Sequence, residues 1–198
     1  SADSPWFRIV EPDDSNGAPI MLATGVDRDQ SGDWDGKAVS CGEYDLNGDG
    51  YVEVLMHIDV GYDLYPRSII ALDQHNRRIL WSFPVAGACS GRKSFTVAKL
   101  APDETESIVF GINSKGNAAV TDNMDDKHCY LVVLDRDGNL RWMKTMGGIF
   151  SSIQPKVLPA DSDGNRRILV TKRFRTAHPG DTLWQGEPHD YQRPGGAE

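Results

Sequence analysis

Apolar residues along this chain fall in short runs, at 20–23, 52–58, 68–72, 79–83, 107–112, 130–134 and 167–171. The runs are rich in β-branched and aromatic side chains and are bounded by Gly, Asp, Asn or Pro. None shows the 3.6-residue spacing of an amphipathic helix. Runs of about four to eight residues with turn signals between them are the strand signature, so the pattern predicts an all-β chain.

Several runs belong to a longer self-similarity. Ser68-Ile69-Ile70-Ala71-Leu72-Asp73, followed by Ile79-Leu80-Trp81, is echoed by Tyr130-Leu131-Val132-Val133-Leu134-Asp135, followed by Asn139-Leu140-Arg141-Trp142. The two Asp residues lie 62 positions apart and the two Trp residues 61. A second series, starting at Glu53, Ser107 and Arg167, has steps of 54 and 60. A period near 60 with several strands per unit predicts repeated antiparallel sheets, of which propeller blades are one form. Asp73 and Asp135 end their strands and are placed to accept turn amides. Asp137-Gly138 supplies a left-handed turn, and Trp81 and Trp142 are expected to pack between neighbouring sheets.

The most specific motif is Asp45-Leu46-Asn47-Gly48-Asp49-Gly50-Tyr51-Val52-Glu53. Asp45, Asn47 and Asp49 can converge on one hard cation, Gly50 permits the tight turn, Tyr51 offers its carbonyl, and Glu53 returns a carboxylate. Calcium takes six to eight such oxygens. An EF-hand would carry Glu where Met56 stands and helices where strands are predicted, so it is excluded. A second, weaker loop offers Asp27, Asp29, Ser31, the Asp33 carbonyl and Asp35 at the same offsets. It either holds its own calcium, shares one with the first loop, or is an acidic surface turn. Asp161-Ser162-Asp163-Gly164-Asn165 and Asp103-Glu104-Thr105-Glu106 are degenerate echoes, expected to be hydrogen-bonded turns without an ion. The acidic segment 122–126 lacks the spacing altogether.

Segment 36–44, the Asp45 loop and the strand after it together resemble the FG-GAP repeat, the calcium-loop blade of integrin α-type propellers. The Leu72-Asp73 to Trp81 and Leu134-Asp135 to Trp142 hairpins resemble pyrroloquinoline-quinone-type propeller repeats. The resemblance covers roughly residues 36–171. It implies about three four-stranded antiparallel blades, and calcium held by Asp45, Asn47, Asp49, the Tyr51 carbonyl and Glu53. On this reading blades occupy residues 1–176, with repeats at 36–98 and 99–155 and an incomplete one at 156–176. Residues 1–35 form a leading strand and acidic loop, and 177–198 an extended C-terminal tail. Propellers close with about four to eight blades. The expected partners are therefore other protein subunits or the remainder of a longer chain, forming a larger ring or assembly.

Composition agrees. Of 29 acidic residues 22 are Asp, and 20 Gly and 11 Pro accompany them in a chain of 198. Asp, Gly and Pro are turn formers and poor helix residues. A formal charge of −8 argues against nucleic acid and against docking on anionic lipid. No apolar stretch approaches the ~18–20 residues of a membrane span, so no membrane insertion is expected. Ser1 to Pro5 reads either as the mature end left by a removed signal peptide or as an arbitrary boundary, and the expected location is extracellular or periplasmic. Cys41, Cys89 and Cys129 allow one disulfide with one thiol, or three thiols.

Catalytic signals are few. Ser90-Gly91-Arg92-Lys93 matches a Ser-x-x-Lys pattern without its companion motifs, and His57, His75, His128, His178 and His189 show no metal-ligand spacing. His128-Cys129 is expected to be packed structure. Arg166, Arg167, Lys172, Arg173 and Arg175 form a basic stripe, read as a charge-guarded edge strand, with docking of an acidic partner or a polysaccharide as the alternative. Two function classes result. One is a non-catalytic, calcium-stabilised interaction scaffold. The other is a piece of a propeller enzyme, such as a quinone-dependent dehydrogenase or a calcium-using polysaccharide lyase.

Overall fold

The structure, a computed structural model, describes residues 6–7, 20–21, 36–60, 67–89, 94–116, 119–121, 124–149 and 151–174. It is built of strands, with no α-helix among the described residues. The Asp27 loop, Ser90 to Lys93, Arg175 and the 177–198 tail lie outside the described residues.

A short pair, β1 (Trp6–Phe7) and β2 (Ile20–Met21), comes first. The first four-stranded sheet contains β3 (Gly36–Tyr44), β4 (Glu53–Val60), β5 (Arg67–Asp73) and β6 (Arg78–Val85), in that order and antiparallel throughout. The second repeats the arrangement with β7 (Phe95–Ala98), β8 (Ser107–Ile112), β9 (Cys129–Asp135) and β10 (Leu140–Gly147). A two-stranded sheet follows, β11 (Ser151–Ala160) with β12 (Arg166–Phe174). The sheets therefore appear in chain order, each a simple meander.

Their packing explains why the apolar runs are continuous rather than alternating. Leu55, Ile69, Ala71, Phe83 and Val85 of the first sheet meet Ile108, Phe110, Ile112, Val132 and Leu134 of the second. From the other face of that second sheet, Val109, Cys129, Leu131 and Val133 meet Ile153, Val157, Ile168 and Val170. A strand buried on both faces has no polar side to display, and every residue of β8 is buried. Phe110 anchors the first core, stacked on Phe95 at 4.8 Å between centroids and edge-on to Phe83 at 6.4 Å. Backbone approach is close in the second, where a Cβ at Gly111 would stand 2.8 Å from the Ile153 carbonyl oxygen. The first strands of successive sheets touch, β3 against β7 and β7 against β11.

Trp81 joins the first sheet to the turn between β9 and β10. Its indole N–H donates to the Arg136 carbonyl at 3.0 Å, and its ring lies over Gly138, where an added Cβ would be 2.5 Å from Cδ2. Gly138 also has φ of 83°, a conformation that costs an L-residue roughly 1–2 kcal/mol. Gly138→Ala therefore meets both backbone strain and overpacking. Its expected cost is about 2–4 kcal/mol in chemical denaturation, and a loss below 1 kcal/mol would show that the indole yields freely.

Trp142 packs at the edge of the second core. On β12, Arg166, Arg167, Lys172 and Arg173 are all exposed, and β12 pairs only with β11 among the described residues. Among the described residues it is thus an edge strand carrying positive charge, a combination that disfavours unwanted pairing.

Candidate metal centre

The Asp45 loop joins β3 to β4, and its turn is built by its own side chains. Asp45 accepts from the Gly48 amide at 2.7 Å through Oδ1 and from the Gly50 amide at 3.1 Å through Oδ2. Asn47 Oδ1 accepts from the Asp49 amide and Asp49 Oδ1 from the Tyr51 amide, both at 2.8 Å. These are Asx turns, the local bonding that Asp and Asn offer a backbone leaving regular structure. Gly48 and Gly50 both have positive φ, so the loop folds back tightly.

Glu53 opens β4 and turns inward, fully buried. Its Oε2 accepts from the Leu46 amide at 2.7 Å and its Oε1 from Asn47 Nδ2 at 3.2 Å. The same Nδ2 also donates to Asp49 Oδ2 at 3.1 Å. One amide group thus stands between two carboxylates. Burial pushes the Glu53 carboxyl above its ordinary value; amide hydrogen bonds from Leu46 and Asn47 pull it down, and Asp49 and Asp73 push it up again. A carboxyl raised in this way adds stability below the unfolded Glu value of about 4.3, and that stability is lost as pH rises toward the folded value.

Asn47, Asp49 and Glu53 are therefore brought together, whereas the Asp45 carboxylate faces the loop amides. The Tyr51 ring is exposed and stacks on His75 of the following hairpin at 3.8 Å. Among the described residues no group of three or more His, Cys, Asp or Glu side chains is gathered as a metal cage. The donor set nonetheless fits a hard cation. All its side-chain acceptors are oxygens, and a carboxylate oxygen that accepts one amide retains a lone pair for a metal.

The second sheet supplies an internal comparison. Glu53 pairs with Asp73 across β4 and β5, and Ser107 occupies the same register against Asp135 across β8 and β9. In both sheets the last strand bulges one residue before its Trp, at Leu80 and at Arg141. Arg141 uses that bulge to reach back into the β7–β8 turn. Its guanidinium donates to Glu104 Oε2 at 3.3 Å, Ser107 Oγ at 2.8 Å, the Thr105 carbonyl and the Thr105 hydroxyl. A protein cation thus ties the second loop together. In the first sheet the corresponding residue is Leu80, packed against the core.

The degenerate loops behave as turns. Asp161 Oδ1 accepts from the Asp163 and Asn165 amides at 3.0 and 2.9 Å. Asp135 likewise caps its hairpin through the Asp137 and Asn139 amides, and Asp73 through Asn76. Burial pushes the Asp73 carboxyl up, but the Asn76 and Arg78 bonds outweigh it and hold it below the ordinary range.

Sequence reasoning underrated the segment 122–126. Asp125 Oδ1 stands 2.8 Å from His128 Nδ1 and accepts from the Tyr130 hydroxyl at 3.0 Å and the Lys127 amide at 2.9 Å. Burial pushes its carboxyl up, and these bonds more than reverse the effect. A depressed carboxyl stabilises above the unfolded Asp value of about 3.9, and that stability is lost as pH falls through the folded value. Asp125→Asn is expected to cost roughly 1–2 kcal/mol at pH 7. In urea melts taken down to pH 3, the variant's deficit should shrink; a constant deficit would place the loss in packing instead.

No family model, curated protein or solved structure matches the chain.

Proposed function

We propose that the chain is a non-catalytic, calcium-stabilised β-propeller module that serves as an interaction or assembly scaffold outside the cytoplasm. The observation that carries the calcium part is the buried Glu53 carboxylate beside Asp49 and Asn47, in a sheet where Leu80 replaces the guanidinium that serves the equivalent loop. Asp45, Asn47, Asp49, Glu53 and the Tyr51 carbonyl would hold the ion. The propeller part is supported by meander sheets stacked in chain order, whose first strands β3, β7 and β11 touch in succession. Blades set around one axis would also be stacked in chain order.

The scaffold reading follows from what such blades need. A sheet stacked on a neighbour that shows two strands among the described residues can take further strands and sheets, and the partners proposed are other subunits or the remainder of a longer chain. The extracellular or periplasmic location suits a calcium loop, since extracellular modules bind the ion at ~10⁻⁴–10⁻³ M. The test is calcium binding by titration calorimetry, paired with thermal melts in calcium and in chelator. Binding that stabilises the fold supports the reading, and no heat at millimolar calcium removes it.

A further inference from the structure

The three cysteines divide between the two cores. Cys41 sits at the register shift of β3 between Ser40 and Gly42 and is fully buried in the first core. Cys89 packs against that same core, just beyond β6 in the segment that crosses to β7. The two sulfurs stand 3.9 Å apart. Cys129 is buried in the second core, on the opposite face of the β7–β10 sheet. All three are thiols in this structure.

We infer that Cys41 and Cys89 are a disulfide site, leaving Cys129 as a thiol. The sulfurs are already in contact across 48 positions of sequence, and an S–S bond of about 2 Å requires them to approach by about 2 Å more. Cys89 is half-buried and Cys41 is not exposed at all, which sets the order of reaction. The oxidant is a disulfide, R–S–S–R. The Cys89 thiolate attacks one of its sulfurs, the oxidant's S–S bond breaks, and one R–S⁻ leaves. The Cys41 thiolate then attacks the Cys89 sulfur of the mixed disulfide and expels the second R–S⁻. Two protein thiols have lost two protons and two electrons, and the oxidant has become two thiols.

The consequence is a staple. The closed loop contains β4, β5, β6 and the whole Asp45 turn, so the bond ties the first strand of the sheet to the crossing that follows its last one. In the chain-entropy account a loop of this length is among the more stabilising, and disulfides of this kind persist in oxidising compartments.

The test is direct because the cysteines fall in three tryptic peptides, 38–67, 79–92 and 128–136. The purified chain is equilibrated with oxidised glutathione, alkylated, digested without reductant and analysed by mass. Peptide 38–67 linked to 79–92, with 128–136 alkylated, is the expected result. Three alkylated peptides, or a link through 128–136, would overturn the inference. The melting temperature is expected to rise by about 5–15 °C between dithiothreitol and oxidised glutathione, and Cys89→Ala should abolish the difference. A linked wild-type chain whose melt does not move would remove the stapling role.

Discussion

Asp126→Ala is expected to destabilise the chain by about 3–5 kcal/mol, lowering the melting temperature by roughly 6–20 °C for a domain of this size. Asp126 is fully buried and faces Arg67, itself 1 % exposed, with Oδ2 3.7 Å from Nη1. Arg67 comes from the first sheet and Asp126 from the segment between β8 and β9, so the pair bridges sheets. The guanidinium also donates to the Ala86 carbonyl and lies 3.5 Å from Asp59, and Asp126 Oδ1 accepts from the Lys115 amide at 2.6 Å. Removing the carboxylate deprives that amide of its acceptor and takes a counter-charge away from a buried cation. Taking one partner from a buried pair costs far more than the net worth of the pair, because the survivor stays desolvated. Two companions make this decisive. Asp126→Asn keeps an acceptor for Lys115 and should lose less. Arg67→Met combined with Asp126→Asn should lose less than the sum of the separate changes. Additive losses in that cycle would show that the two side chains act independently.

That pair was not legible in the sequence, and the reason is physical. Strands announce themselves through local composition, and 107–112 coincides with β8 because every residue there faces one core or the other. The Asx turns at Asp73, Asp135 and Asp161 were equally readable, since the carboxylate and the amides it serves are at most four residues apart, whereas the Asp45 carboxylate, read as a cation ligand, faces the Gly48 and Gly50 amides. Arg67 and Asp126 are brought together only by the stacking of sheets, and so are the sulfurs of Cys41 and Cys89 across the connection between them. Strand β11 escaped for a different reason. Pro155 and Pro159 interrupt its apolar pattern, and proline is acceptable there because a strand with one described partner has N–H positions that need no ladder bond. Reading 122–126 as an acidic loop judged it by metal spacing, whereas Asp125 and Asp126 spend their charge on His128 and Arg67.

Millimolar calcium is expected to raise the melting temperature over that in chelator by roughly 1–6 °C, the equivalent of about 0.4–1.4 kcal/mol when the ion stands at one to ten times its dissociation constant. The force behind this is the state of Glu53. Its carboxylate is buried, its proton affinity is raised, and the groups acting on it are amides and two more carboxylates. A cation bound only in the folded state would turn that repulsion into attraction. Asp49→Ala and Glu53→Gln should each erase the calcium increment. Neither should be catastrophic in chelator, where Glu53→Gln removes an unfavourable charge while giving up one accepted hydrogen bond. A third variant separates a metal site from a merely sensitive loop. Leu80→Arg places a guanidinium at the bulge from which Arg141 serves the second sheet. If the two loops are solutions to one electrostatic problem, this variant should melt higher than wild type in chelator and respond less to calcium. A wild-type chain indifferent to calcium would make the Asp45 loop a hydrogen-bonded turn like the one at Asp161, and the Glu53 charge a standing cost of the fold. A wild-type response that Leu80→Arg leaves intact would keep the ion but deny the equivalence of the loops.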